Sequence, residues 1–154
     1  MNLTYENATE QDIENIYEFN KYLIERYENV QNIDYEKVLN WVHKKIETNI
    51  QEYQRVIVDD EVAGYYRFYQ DGDKMELDDL YVFPEYRNQQ IGTRVIDKCL
   101  AETDLPVYLY VFIKNTKAVA LYERLGFRVI ETIKDSRYIM QEDGRKSRRE
   151  NDGT

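Results

Sequence analysis

The stretch Leu77–Gly92, LDDLYVFPEYRNQQIG, limits what this chain can fold into more than any other. Two acids, Asp78 and Asp79, lead into an apolar run, Leu80-Tyr81-Val82-Phe83, that reads as a strand. Pro84 stops it, because proline has no N–H for a ladder. A polar turn containing Arg87 follows, and a helix opens near Gly92. A strand that ends in a polar loop feeding a helix N-terminus presents backbone N–H groups and the positive end of a helix dipole to anything anionic. Glycine at such a place lets the ligand come close to the backbone. One arginine and one glycine before a helix are common, so the loop alone is a weak sign of phosphate binding.

The rest of the chain builds a frame around this stretch. Residues 2–7 alternate weakly and predict a first strand. Thr9 with Asp12 makes an imperfect capping box, in which Asp replaces the longer Glu or Gln. Ile13, Ile16, Tyr17, Leu23, Ile24 and Tyr27 then follow at helical spacing, interrupted by Asn20. Asp34 caps a second helix with Val38, Leu39, Val42 and Ile46 on one face. After Asn49 the period changes to that of strands. Residues 55–58, 62–69 and 75–83 form a meander with turns at Asp59-Asp60-Glu61 and Asp71-Gly72-Asp73. Gly64 inside a strand marks a bulge, a close backbone approach or a packing glycine.

From Pro84 onward helix and strand alternate. Residues 92–102 place Val95, Ile96, Cys99 and Leu100 on one helical face. Residues 107–113 are nearly all apolar, as a buried central strand would be. Residues 115–125 form a helix closed by Gly126 in the C′ position. Residues 127–133 and 137–140 are two further strands. The order β-α-α-β-β-β-α-β-α-β-β predicts a mixed α+β fold, a sheet with helices on its faces. We expect a single domain over residues 1–141 and a polar, frayed tail over 142–154, with a functional basic tail as the alternative.

Composition narrows the function classes. The chain has 154 residues, 42% hydrophobic and 33% charged, which is too apolar for disorder. No apolar run is long enough for a membrane helix, so no membrane association is expected. A net charge of −9 argues against non-specific nucleic-acid binding, which needs clustered cations. Cys99 is the lone cysteine, so no internal disulfide can form. His43, the single histidine, lacks cysteine neighbours; no metal site is expected, and it reads as a solvent-facing helix residue. The N-terminus has no basic region followed by an apolar segment, so a cytoplasmic location is the default expectation.

The second chemically suggestive segment is Asn115–Phe127. Asn115 is either an N-cap or a residue that meets a ligand. Tyr122 lies seven residues on, two helical turns, and so on roughly the same face. It is either a core tyrosine or a hydroxyl aimed at a cleft.

Together, Tyr81-Val-Phe-Pro-Glu-Tyr-Arg87…Ile91-Gly92 and Asn115-Thr-Lys-Ala-Val-Ala-Leu-Tyr-Glu-Arg-Leu-Gly-Phe127 resemble the two signature segments of the GNAT superfamily of N-acetyltransferases. In that family the first segment is Arg or Gln, two residues, Gly, one residue, then Gly or Ala. The second is an Asn followed by an Ala, then Tyr, then a Gly-Phe pair. The element order fits the family over about residues 2 to 141. One departure stands out: the family's first glycine falls on Gln90, where a left-handed backbone costs a non-glycine residue about 1 kcal/mol. Gln89 is neutral where the family is often basic.

The resemblance implies acetyl transfer from acetyl-coenzyme A to a primary amine of a small molecule or peptide, on a mostly antiparallel twisted sheet. By similarity, the backbone of Leu80, Tyr81 and Val82 would hold the pantetheine and polarise the thioester. The N–H groups of Gln89, Gln90, Ile91, Gly92 and Thr93, with Arg87, would hold the pyrophosphate. Asn115 would contact the pantetheine arm or an ordered water beside it, and Tyr122 would protonate the departing thiolate. An ammonium must lose a proton before it can attack, and a carboxylate at the strand end can take it. Glu76, Asp78 and Asp79 are the candidates. Strand alternation puts Glu76 and Asp78 on one face and Asp79 on the other. Asp78 is favoured, because many family members carry an acid there. All three can equally be a solvated strand end.

Acetyl-CoA is therefore the expected co-substrate, with no metal. The acceptor is open, and a homodimer is compatible with the reading. A coenzyme A-binding module without turnover is the alternative on the same fold. A tyrosine-rich interaction domain with no coenzyme site is a third.

Overall fold

The computed structural model describes residues 1–144. The strands are β1 (Leu3–Asn7), β2 (Tyr53–Val58), β3 (Glu61–Asp71), β4 (Lys74–Val82), β5 (Val107–Phe112), β6 (Arg128–Ile133) and β7 (Arg137–Glu142). The helices are α1 (Ile13–Tyr27), α2 (Tyr35–Asn49), α3 (Ile91–Ala101) and α4 (Thr116–Arg124). The strands form one sheet in the order β1-β2-β3-β4-β5-β7-β6. The β1–β2, β2–β3, β5–β7 and β6–β7 ladders are antiparallel, and β4–β5 is parallel. This is the mixed α+β fold that the element order predicts. No helix among the described residues is long and apolar enough to cross a membrane.

The chain divides into two compact units. The first comprises residues 1–67 and 79–85. Its helices start where the caps predict. The Asp12 carboxylate accepts from the Thr9 N–H, and one 3-10 turn (Glu10–Asp12) precedes α1. The Asp34 carboxylate accepts from the Lys37 N–H at the start of α2. Ile16, Phe19 and Ile24 of α1 are buried, as are Val42 and Ile46 of α2. Phe19 was outside the predicted stripe because Asn20 breaks the spacing; Asn20 donates to the Ile16 carbonyl.

Asp12 is a buried acid that the fold makes use of. Arg55 on β2 donates to its Oδ2 through Nε (2.8 Å) and pairs with it again through a terminal nitrogen (2.7 Å), and the Tyr65 hydroxyl donates to Oδ1. Burial pushes the Asp12 carboxyl up, but these donors outweigh it and hold it below the usual carboxylate range.

Gly64 proves to be both a bulge partner and a close approach. The β2–β3 register slips between Val56 and Ile57, opposite Gly64 and Val62. A Cβ on Gly64 would lie 2.1 Å from the Tyr81 carbonyl oxygen, so only glycine lets β4 come this near.

The second unit comprises residues 68–78 and those from 86 onward. Ile91, Val95, Ile96 and Cys99 of α3 are buried. Gly126 takes the left-handed conformation (φ 97°) that closes α4. The expectation of a fully buried β5 needs correction. Val107, Leu109 and Val111 are buried, whereas Tyr108, Tyr110 and Phe112 face outward to varying degrees. Tyrosine hydroxyls let the second face stay wet, so an apolar-looking run is a one-sided strand. β7 continues through Glu142, and the remainder of the predicted tail, 145–154, lies outside the described residues.

Candidate active site

The loop before α3 bends into the helix without the family's first glycine. Asn88 (φ 65°) and Gln90 (φ 62°, ψ 23°) both sit in the left-handed region. Gln90 caps α3, and its carbonyl accepts the first helical bond, from the Arg94 N–H (3.1 Å). The N–H groups of Ile91, Gly92 and Thr93 therefore precede the helical ladder and have no acceptor inside the helix. No acid occupies the first turn of α3. Arg87 and Gln89 are exposed in the same loop.

Gly92 is not a packing glycine. A Cβ there would meet Leu121 Cδ2 at 3.6 Å, an ordinary contact. The same distance shows that the first turn of α3 lies beside the middle of α4. The residue after Leu121 is Tyr122.

Asn115 caps α4. Its side-chain oxygen accepts from the Ala118 N–H at 3.4 Å, and its NH2 group has no hydrogen-bond partner among the described residues. Tyr122 is buried, with Phe127 packed at 6.0 Å between ring centroids. Its hydroxyl also has no hydrogen-bond partner among the described residues. Burial pushes it up to about 12 rather than the 10 of a free phenol. No fully buried side-chain nitrogen or oxygen among the described residues lacks a partner, so the ring of Tyr122 is buried while its hydroxyl oxygen reaches the accessible surface. It stays protonated at neutral pH, as a proton donor must.

The three candidate acids sit in different settings. Glu76 is buried and accepts from the Tyr69 hydroxyl and, at 3.2 Å, from the Tyr108 hydroxyl. Tyr108 also donates to Asp71 at 2.6 Å; burial and these carboxylates hold its phenol far above the usual range. Asp78 is half-buried. Asp79 has φ 51°, a left-handed residue within the strand, so simple alternation does not place it. Its Oδ2 accepts from Tyr53 (2.6 Å) and pairs with Lys45 (3.2 Å). The β4–β5 ladder pairs Met75 with Val107 and Glu76 with Tyr108, which puts Glu76 in its last rung.

Leu80, Tyr81 and Val82 belong to the first unit. There the Tyr81 ring stacks on Phe19 at 4.5 Å with the planes 2° apart, and the Phe83 N–H donates to the Ala63 carbonyl. In the second unit the fold brings Gln89–Thr93 beside the helix that carries Asn115 and Tyr122.

Sequence reasoning missed Lys45, Tyr53, Tyr69 and Tyr108 as partners of the candidate acids. No local spacing could have found the first two, which lie 34 and 26 residues from Asp79. The side-by-side pairing of Glu76 with Tyr108 needed the strand register. His43 was also misplaced as merely solvent-facing. It bridges Glu14 of α1 (2.7 Å) and Glu47 of α2, with Tyr17 edge-on to its ring.

Comparison with known proteins agrees with this architecture. Two curated relatives are thialysine N-epsilon-acetyltransferases. That of Mus musculus is 44% identical over 75 residues, covering 42% of this chain and 44% of the relative. That of Sus scrofa is 45% identical over 62 residues, covering 37% and 36%. The chain thus spans less than half the length of the curated relatives it matches. Among solved structures, an N-acetyltransferase from Staphylococcus aureus Mu50 superposes with a TM-score of 0.70 at 17% identity, over 90% of this chain and 99% of the other. The PaiA N-acetyltransferase from Thermoplasma acidophilum, solved in complex with coenzyme A, gives 0.63 at 21% identity, over 93% and 99%. The model of the Acetyltransferase (GNAT) family matches residues 11–127, most of the chain, and the chain belongs to that family.

Proposed function

We propose that the protein transfers an acetyl group from acetyl-CoA to a primary amine. The observation that carries this reading is the loop before α3. Two non-glycine residues accept left-handed backbone conformations, and three N–H groups then point out of the helix start with Gly92 uncrowded behind them. Such a conformation costs on the order of 1 kcal/mol per residue, so its presence without glycine fits a loop kept for an anionic ligand. Gln89 to Thr93 bind the pyrophosphate with backbone donors, assisted by Arg87. Leu80 to Val82 supply backbone groups to the pantetheine and thioester.

The chemistry then needs three proton movements. A carboxylate takes a proton from the acceptor ammonium, and Asp78 is the preferred base. Asp78 stands where many members of the family carry an acid, and it is half-buried. The freed amine attacks the thioester carbonyl, its nitrogen–carbon bond forming as the carbon–sulfur bond breaks, and the nitrogen gives up its second surplus proton through water, which restores the phenol that protonates the sulfur. The Tyr122 hydroxyl is the acid that protonates the leaving sulfur in this reading. Its raised pKa keeps the proton on the phenol at neutral pH. Holding amine and thioester together supplies much of the rate.

For the acceptor, the relatives' names point to an ε-amine on a lysine-like side chain, thialysine first. The test is a melting curve with acetyl-CoA followed by free-thiol release against thialysine, lysine and polyamines. Stabilisation with amine-dependent thiol release is the expected result. Stabilisation without release on any amine would leave a coenzyme-binding module, and no stabilisation would remove the coenzyme altogether.

A further inference from the structure

Asp79 is a non-glycine residue at φ 51° in the middle of β4, immediately before the backbone segment to which the reading above gives the thioester. A conformation of this kind persists only where the surroundings over-determine it. Here they do so from two elements. Lys45 reaches from α2 and Tyr53 from β2, and both bind the same carboxylate oxygen, at 3.2 and 2.6 Å. The Lys45 and Asp79 side chains are largely buried, and Tyr53 is fully buried. The Lys45 ammonium also lies 6.0 Å from the centre of the Trp41 ring. Just beyond the bend, β4 is pressed onto β3 at Gly64 and tied by the Phe83 N–H to the Ala63 carbonyl. The Tyr81 ring is stacked on Phe19.

We propose that Lys45 and Tyr53 are positioning residues, which grip Asp79 and thereby fix the direction in which the backbone of Leu80, Tyr81 and Val82 faces the thioester. Asp79 is the anchor of this clamp, not the base. The proposal rests on the acetyl-transfer reading. A carboxylate bound by an ammonium and a phenol through one oxygen is already compensated and poorly suited to take a proton. The bend it secures is what a catalytic backbone donor needs, because misplacement by about 1 Å can cost a hundredfold in rate.

The test compares Tyr53→Phe, Lys45→Met, Asp79→Gly and Asp79→Ala with the wild type in two readouts. The first is amide hydrogen exchange in the unliganded protein. Exchange of the Leu80–Phe83 amides should accelerate about tenfold or more in Asp79→Ala, with β1 and β2 unchanged. The second is the pH profile of kcat/KM for acetyl-CoA. Tyr53→Phe and Lys45→Met should each lower it about ten- to hundredfold while the acidic limb stays in place. Asp79→Gly should retain about fivefold more activity than Asp79→Ala, because glycine adopts φ 51° freely. Unchanged exchange in Asp79→Ala would overturn the clamp. Equal loss in the glycine and alanine variants, with the acidic limb abolished, would also overturn it and make Asp79 the base. Failure of the acetyl-transfer reading shows separately, as a wild type that acetyl-CoA does not stabilise, and the exchange readout decides the clamp even then.

Discussion

Two residues carry opposite kinds of information about this site. Gln90 departs from the family pattern yet keeps the conformation that the pattern's glycine would give, at φ 62°. The Gln90→Gly variant should therefore gain stability, by about 1 kcal/mol in chemical denaturation, with coenzyme affinity equal or tighter. A marked loss of affinity would show that the Gln90 amide is itself a ligand contact. Tyr122 matches the pattern, and its hydroxyl has no partner among the described residues. Removing that oxygen leaves nothing else unpaired, so Tyr122→Phe should change stability little and lower kcat about a hundredfold, with KM for acetyl-CoA nearly constant. Because burial pushes the phenol up to about 12, the wild-type kcat profile should show no falling limb from Tyr122 below that pH. Unaltered kcat in the phenylalanine variant would end its role as the acid.

At the scale of elements, the first turn of α3 and the α1–α2 pair behave differently. The start of α3 has room for a methyl group at position 92, and alanine has better helix propensity than glycine. Gly92→Ala should leave the melting temperature unchanged or raised while weakening acetyl-CoA about tenfold or more, measured by titration calorimetry. Loss of stability without loss of affinity would return Gly92 to a packing role. The α1–α2 pair is joined through His43. Its hydrogen bond to Glu14 is the main cause of a pKa above the usual 6.5, offset by partial burial and assisted by Glu47. A raised folded value means that the stabilisation is complete below about pH 6.5 and fades as pH rises through the folded pKa. Wild type should thus exceed His43→Gln in urea midpoint at pH 6 and approach it at pH 9. The same gap at both values would show that the bridge does not depend on the imidazolium.

The whole molecule was legible in the sequence to the extent that its signals are local. Asp34 and Asn115 are helix caps, Gly126 ends α4, and Pro84 ends the strand run, because each acts on the backbone within a turn or two. The order of elements, and with it the mixed sheet, followed from changes of period. β5 was read as buried on both sides because its tyrosines look apolar in a pattern but keep a wet face in the fold. The left-handed bend at Asp79 escaped because alternation assumes an unbroken strand. The partners of Glu76 and Asp79, and Glu14 beside His43, escaped because each comes from another element, joined by folding alone. The loop proposed to hold the coenzyme was the most legible part of the candidate site, since a loop and a helix start are contiguous in sequence.

The central claim is that an amine receives the acetyl group. Mass spectrometry of the acceptor alongside free-thiol counting, with acetyl-CoA and thialysine as the pair, tests it most directly. N-acetylthialysine and free thiol should appear in equal amounts, with thiol release dependent on the amine. Thiol released at the same rate without any amine, or coenzyme bound and no acetylated amine formed across the panel, would contradict it.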